Sequence, residues 1–359
     1  MARVLYSCCG EGQGHSSRVH TVTRALTSLG HEVKILASHK AFRVLQPCLA
    51  DVREIPGFTF VYQNNRVELM TTAWGNLPLL RHRGRVIREI AGLIEAWQPH
   101  LAIADFEPFL PRAAGLTGLR CISLDHQGVI PFAHPPLPWN QRVSALAARA
   151  VVGLTSYRAE ARLATSFFYP PLPAGGNVHF YPPILREKVR QIAPRDDGHV
   201  VVYQTSSSFT RLPELLKHLP FRFKVFAFEN APAGEDGNVS YYPRSDARFI
   251  EEVGTASWVL TNGGYTLMSE ALFLGKPVFS LPVAWQFEQW LNAYYLQDLN
   301  YGSMCDDLRD FPAKIREFTG RLEVYRKNIS QQNFCGNEAV LAHILKFLPA
   351  GKPAPVVAV

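Results

Sequence analysis

The 359-residue sequence has no apolar run approaching the ~20 residues that a bilayer-spanning helix needs, so no membrane span is expected. No secretory leader is expected either, because Gly10, Glu11, Gln13 and His15 interrupt the first apolar stretch. The six cysteines include the adjacent pair Cys8 and Cys9, but they show neither metal-ligand spacing nor disulfide-scaffold density. These absences imply a reducing, cytoplasmic setting. No short-period repeat and no nucleic-acid-binding signature is present, so nucleic acid is not an expected partner.

Several features stand against these absences. The length exceeds one ordinary core and implies two domains. The net charge of +7 favours anionic partners such as phosphates or acidic headgroups. Apolar strands alternate with amphipathic helices from the first residues, which predicts an α/β protein with parallel sheets. Strands are read at 3–8, 32–37, 100–105 and 120–125, with helices at 17–29, roughly 79–97 and 141–164. Two proline-rich segments follow the strand at 120–125. The one at 130–138 reads as a surface loop and the one at 169–183 as an interdomain linker. The rhythm restarts with strands at 199–204, 222–228, 239–242, 257–262 and 277–282, and closes with helices at 312–330 and 337–348. The expected division is a first domain over 1–168, a linker over 169–198, and a second domain over 199–330. A terminal segment, 331–359, carries a helix that returns to the first domain.

Two strand–glycine–helix joints carry the chemistry. In "TNGGYTLMSEALFLGKP" the bare backbone at Gly263 and Gly264 admits an anion, and the N–H groups of Tyr265, Thr266 and Leu267 open a helix whose dipole favours a diphosphate. Glu270, one turn along, suits two ribose hydroxyls. The other joint, "GEGQGHSSR" at 10–18, follows the first strand but has the wrong spacing for a dinucleotide fingerprint.

The second joint and its continuation resemble the donor site of GT-B glycosyltransferases, in particular the GT1/GT28 group of plant, antibiotic and lipid-II-forming transferases. The matching positions are Asn262, Gly263-Gly264, Glu270, Gly275-Lys276-Pro277, Pro282, Glu288-Gln289 and Asn292-Ala293. Asn262 stands where plant members carry His, so the pattern is closer to bacterial and archaeal relatives. The resemblance implies two Rossmann-like domains facing across a cleft. It implies a nucleotide diphosphate sugar, UDP-linked in the simplest case, and no metal or other cofactor. Asn262, Gly263, Gly264, Tyr265 and Thr266 would meet the diphosphate and Glu270 the ribose. Gln286, Glu288 and Gln289 would meet the sugar, Tyr242 and Arg244 the base, and Ser206 and Ser207 the phosphates.

The same resemblance places His15 as the general base of an inverting displacement, oriented by Asp105, with Gly14 beside the donor. Glu11 is a competing base. Arg18 is read as an acceptor contact or a partner of Glu11, and His126 as a residue near the acceptor pocket. The basic cluster at 81–88 adds a possible perch on an anionic membrane, a solvated face being the plainer reading. A nucleotide-sugar 2-epimerase, or a catalytically silent subunit of the same architecture, stays open as an alternative. The acceptor can be a small molecule, a lipid or a glycan.

Overall fold

The computed structural model describes residues 1–10, 12–59, 61–63, 66–204, 212–226, 234–243 and 246–349. Glu11, Ser206, Ser207 and Arg244 lie outside the described residues.

Two seven-stranded sheets form. The first holds β1 (Arg3–Cys8), β2 (Glu32–Ala37) and β3 (Val52–Glu54). A small antiparallel ribbon, β4 (Tyr62–Gln63) and β5 (Arg66–Val67), stands apart from it. The first sheet continues with β6 (Leu101–Asp105), β7 (Cys121–Asp125), β8 (Ala161–Thr165) and β9 (Val178–Tyr181). Its order is β3-β2-β1-β6-β7-β8-β9, parallel throughout. The second sheet holds β10 (His199–Tyr203), β11 (Arg222–Phe226), β12 (Gly234–Asp236), β13 (Val239–Tyr242), β14 (Trp258–Thr261), β15 (Val278–Ser280) and β16 (Gly302–Met304). Its order is β12-β13-β11-β10-β14-β15-β16, with only the edge strand β12 antiparallel.

Both sheets have the doubly wound order. The chain reverses its direction of travel between β1 and β6 in one sheet and between β10 and β14 in the other. Ligands in such sheets bind where this reversal opens a crevice at the carboxyl ends of the strands. Register sharpens the point, because Cys8 lies opposite Asp105 and Tyr203 opposite Thr261. The central strands are apolar runs because helices cover both faces. On one face of the first sheet, Val19, Val22 and Leu26 of the helix Gln13–Ser28 pack with Val340 and Ile344 of the helix Asn337–Leu345. On the other face lie Val86, Ile90 and Ile94 of the helix Leu69–Trp97. Each such buried aliphatic side chain contributes about 1.5–3 kcal/mol.

Several boundaries differ from the sequence reading. The helix expected from residue 17 begins at Gln13, because Gly12 takes φ +73° and starts the turn earlier, so His15 sits in the first turn. The helix expected at 79–97 begins at Leu69, with Pro78 inside it where the ring deprives the Trp74 carbonyl of a donor. The stretch expected as a helix over 141–164 is a helix only at Arg142–Thr155, followed by β8. The linker expected at 169–198 contains β9, which pairs with β8, so the first sheet continues to Tyr181. The closing helix over 312–330 is two helices, Phe311–Thr319 and Leu322–Ser330.

The chain crosses between the halves twice, and the two crossings are stitched together. Gly336 N–H donates to the Pro183 carbonyl at 2.7 Å, and the Asn337 carboxamide exchanges two 2.8 Å bonds with the Leu185 backbone. A Cβ on Gly336 would stand 2.1 Å from the Pro182 oxygen, so only glycine fits there. Among the described residues, no helix is long and apolar enough to cross a membrane.

Candidate active site

His15 and Arg18 lie one helical turn apart and therefore share a face. That face meets the end of β6. His15 Nδ1 is 2.6 Å from Asp105 Oδ1, and Arg18 grips both carboxylate oxygens, Nε to Oδ2 at 2.7 Å and Nη2 to Oδ1 at 2.6 Å. All three side chains are buried. Burial alone would raise the Asp105 pKa, but Arg18 and His15 more than reverse this and hold it below the ordinary carboxylate value. An ionised Asp105 can only accept, so the proton in this contact is donated by His15 Nδ1. Phe106, at φ +52°, stacks on the imidazole with ring centroids 5.9 Å apart. Arg18, expected as an acceptor contact or a partner of Glu11, directs its Nε and Nη2 to Asp105.

A second carboxyl completes this network. Asp125, at the end of β7, accepts the Gly128 N–H at 2.6 Å. Burial, then the charge of Asp105, pushes its pKa up to about 6. Two adjacent carboxylates are driven apart in pKa, one ionised by its arginine and the other held towards its acid form.

The turn of the second joint is held by neutral groups. Gly263 takes φ +106°, and a Cβ there would stand 2.7 Å from the Gln289 carbonyl oxygen. Asn262 donates to the Leu281 carbonyl at 3.1 Å, and Asn292 donates to the Gly263 carbonyl at 3.1 Å. Gln289 Oε1 accepts the Val283 N–H at 3.0 Å. These amides fix the turn, so the side chains of Asn262 and Gln289 serve the scaffold, and the opening turn of the helix Tyr265–Phe273 is left to present its N–H groups. Gln286 precedes the helix Phe287–Asp298, with a buried Oε1 that has no hydrogen-bond partner among the described residues. Tyr242, at the end of β13, stacks on Phe226 beneath the Arg248 guanidinium, which is 4.0 Å from its ring centre.

The two joints face each other. A Cβ on Gly14 would stand 2.3 Å from Thr266 Oγ1, so the helix start carrying His15 abuts the helix start after Gly264. Three further pairs bridge the halves. Gln127 Nε2 donates to Glu288 Oε2 at 2.9 Å. Arg186 forks onto Glu270 at 2.7 and 2.6 Å. His126 lies between the Thr165 carbonyl at 2.8 Å and Asn292 Oδ1 at 2.7 Å, and its ring stacks on Tyr265 with centroids 3.7 Å apart. Burial lowers the His126 pKa, with Glu288 opposing the shift. His126 therefore pins the halves together from a buried position. Asp125, Gln127 and Arg186 escaped the sequence reading. Only the position of Asp125 at a strand end offered a signal.

The chain matches the model of glycosyl transferase family 1 over residues 2–323. It belongs to that family. An uncharacterized glycosyltransferase of Methanosarcina acetivorans is 24% identical over 323 residues, covering 84% of this chain and 82% of its own. Among solved structures, a UDP-glucosyltransferase from Polygonum tinctorium capable of glucosylating indoxyl superposes with a TM-score of 0.68 at 14% identity, covering 96% of this chain and 98% of the other. A Streptomyces sp. SF2575 glycosyltransferase solved with thymidine diphosphate gives 0.59 at 17% identity, covering 96% and 100%. The fold of this glycosyltransferase is GT-B, as its motifs led one to expect.

Proposed function

We propose that this glycosyltransferase moves a sugar from a nucleotide diphosphate donor, UDP-linked in the simplest case, to an acceptor hydroxyl by a single inverting displacement. The observation that carries the reading is the 2.6 Å contact between His15 Nδ1 and Asp105. His15 Nε2 takes the hydroxyl proton as the acceptor oxygen attacks the anomeric carbon. The bond from that carbon to the diphosphate oxygen breaks on the opposite face. Asp105 steadies the imidazolium, and Arg18 keeps Asp105 ionised and fixed in plane. The leaving diphosphate is received by the first-turn N–H groups after Gly264, in a region where a second helix, the one bearing His15, also starts. Two positive helix ends do what a cation would do, so no metal or other cofactor is required.

In this reading Glu270 takes the ribose hydroxyls in exchange for bonds to Arg186. Glu288 and Gln286 face the sugar, Tyr242 and Arg244 the base, and Ser206 and Ser207 the phosphates. Glu11 remains the competing base. The test is nucleotide diphosphate release from UDP- and dTDP-sugars across a panel of phenolic, lipid and glycan acceptors, with and without EDTA. His15→Ala should lower turnover by roughly 10²–10⁴-fold while nucleotide diphosphate binding is retained. Near-normal turnover in that variant moves the base to Glu11. Conversion of the donor without any acceptor favours the epimerase.

A further inference from the structure

Gln127 opens the short turn Gln127–Val129 that follows β7 in the first half, and it is 5% exposed. Its place is fixed from both sides along the chain. His126, before it, is held by the Thr165 carbonyl and Asn292, and the Gly128 N–H, after it, is held by Asp125. The side chain crosses to the second half, where Nε2 donates to Glu288 Oε2 at 2.9 Å. A carboxylate oxygen can only accept, so this bond fixes which way the carboxamide is turned. Oε1 is thereby set as an acceptor next to Glu288. It is buried and has no hydrogen-bond partner among the described residues.

A buried acceptor without a donor is costly, and folded proteins keep few of them. A second one stands near Glu288 in the chain. Gln286 Oε1, at the start of the helix Phe287–Asp298, is likewise buried and unpaired among the described residues. The groups gathered about this helix start are a carboxylate and two carboxamide oxygens, and all of these accept. Phosphate oxygens also only accept, so the set does not suit the diphosphate. It suits a group that brings several O–H donors of its own.

We propose that Gln127 is a specificity-determining residue for the donor sugar, its Oε1 accepting from one ring hydroxyl while its Nε2 holds Glu288 for another. The sugar transferred is then a hexose that carries a hydroxyl at that position, and not one deoxygenated there. This role rests on the donor site proposed above, where Glu288 and Gln286 face the sugar. A hexose lacking the hydroxyl leaves Oε1 buried and unpaired. A site built to bond a hydroxyl rejects the analogue without it far more strongly than an apolar pocket rejects a missing methylene. Gln127 belongs to the first half and Glu288 to the second, so the sugar is read from both sides of the crevice.

Calorimetry with the full chain tests it. UDP-glucose, UDP-galactose and UDP-N-acetylglucosamine are ranked first, and the tightest is compared with its monodeoxy analogues. In wild type one ring deoxygenation should weaken binding roughly 5- to 100-fold. In Gln127→Leu the parent donor should weaken by a similar factor, and the penalty for that same deoxygenation should vanish. UDP alone offers Oε1 no hydroxyl of a sugar, so it should bind both proteins equally, which also shows that the variant is folded. Gln127→Met, with an unbranched side chain of the same length, serves if Gln127→Leu does not fold. The proposal is overturned by the lack of any such penalty in wild type, or by equal penalties in wild type and variant at every position. A loss of UDP affinity as large as the loss for the sugar donor also overturns it, because Gln127 would then be structural. Failure of wild type to bind any UDP or dTDP compound overturns the donor site itself, and this role with it.

Discussion

The two halves solve one geometric problem with opposite materials. Each places a glycine-bearing strand–helix joint at the reversal point of a doubly wound sheet. The first joint is surrounded by ionisable groups: His15, Arg18, Asp105 and Asp125. The second is held by the neutral amides Asn262, Gln289 and Asn292. The proposed reaction accounts for the difference. A diphosphate would bring its own charge, so its site would need only aligned dipoles and a rigid backbone. A hydroxyl would bring none, so the group that activates it would have to be tuned by neighbours fixed in the protein.

Exchanging charge for neutrality in the first half should produce the largest effects. Asp105→Ala leaves the Arg18 guanidinium buried without its counter-charge. Chemical denaturation should report a loss of roughly 3–5 kcal/mol, alongside lost turnover. Asp125→Asn should act in the opposite direction. The Asp125 carboxyl binds its proton more tightly folded than unfolded, so the stability it supplies is present at low pH and is lost as pH rises from about 4 through about 6. A neutral carboxamide keeps the acceptor for Gly128 and removes that loss. The variant should therefore exceed wild type by up to ~3 kcal/mol above pH 7, and the two should converge near pH 4 in melts across that range.

Substitutions in the neutral half should act through shape. Gly263→Ala forces a side chain into the left-handed region and against the Gln289 carbonyl. It should cost about 1–3 kcal/mol and weaken UDP binding by calorimetry. The smallest effect tests whether the halves are coupled. A double-mutant cycle of His126→Ala and Asn292→Ala, read as the Kd for UDP, should give a coupling energy of about 0.5–3 kcal/mol. Additive changes would make His126 a packing residue with no hold on the turn.

Legibility followed the range of the interactions. The strands β1, β2, β10 and β14 stood out as apolar runs, and both glycine joints were visible because their signal is local. β8 was absorbed into a helix because Arg162 and Thr165 interrupt its apolar run. β9 was hidden among prolines, and β16, "GSM", has only three residues and no periodicity. In the site, the His15–Asp105 pair came through resemblance. The roles of Arg18, Gln127 and Arg186 depend on partners 87, 161 and 84 residues away, which no local pattern encodes.

The stitch between residues 182–185 and 336–337 makes the two halves a door hung on a paired hinge. Two crossings laced side by side hold the halves in one register more firmly than a single strand would. A side chain at Gly336, where a Cβ would stand 2.1 Å from the Pro182 oxygen, should disturb the meeting of His15 and Thr266 without touching either.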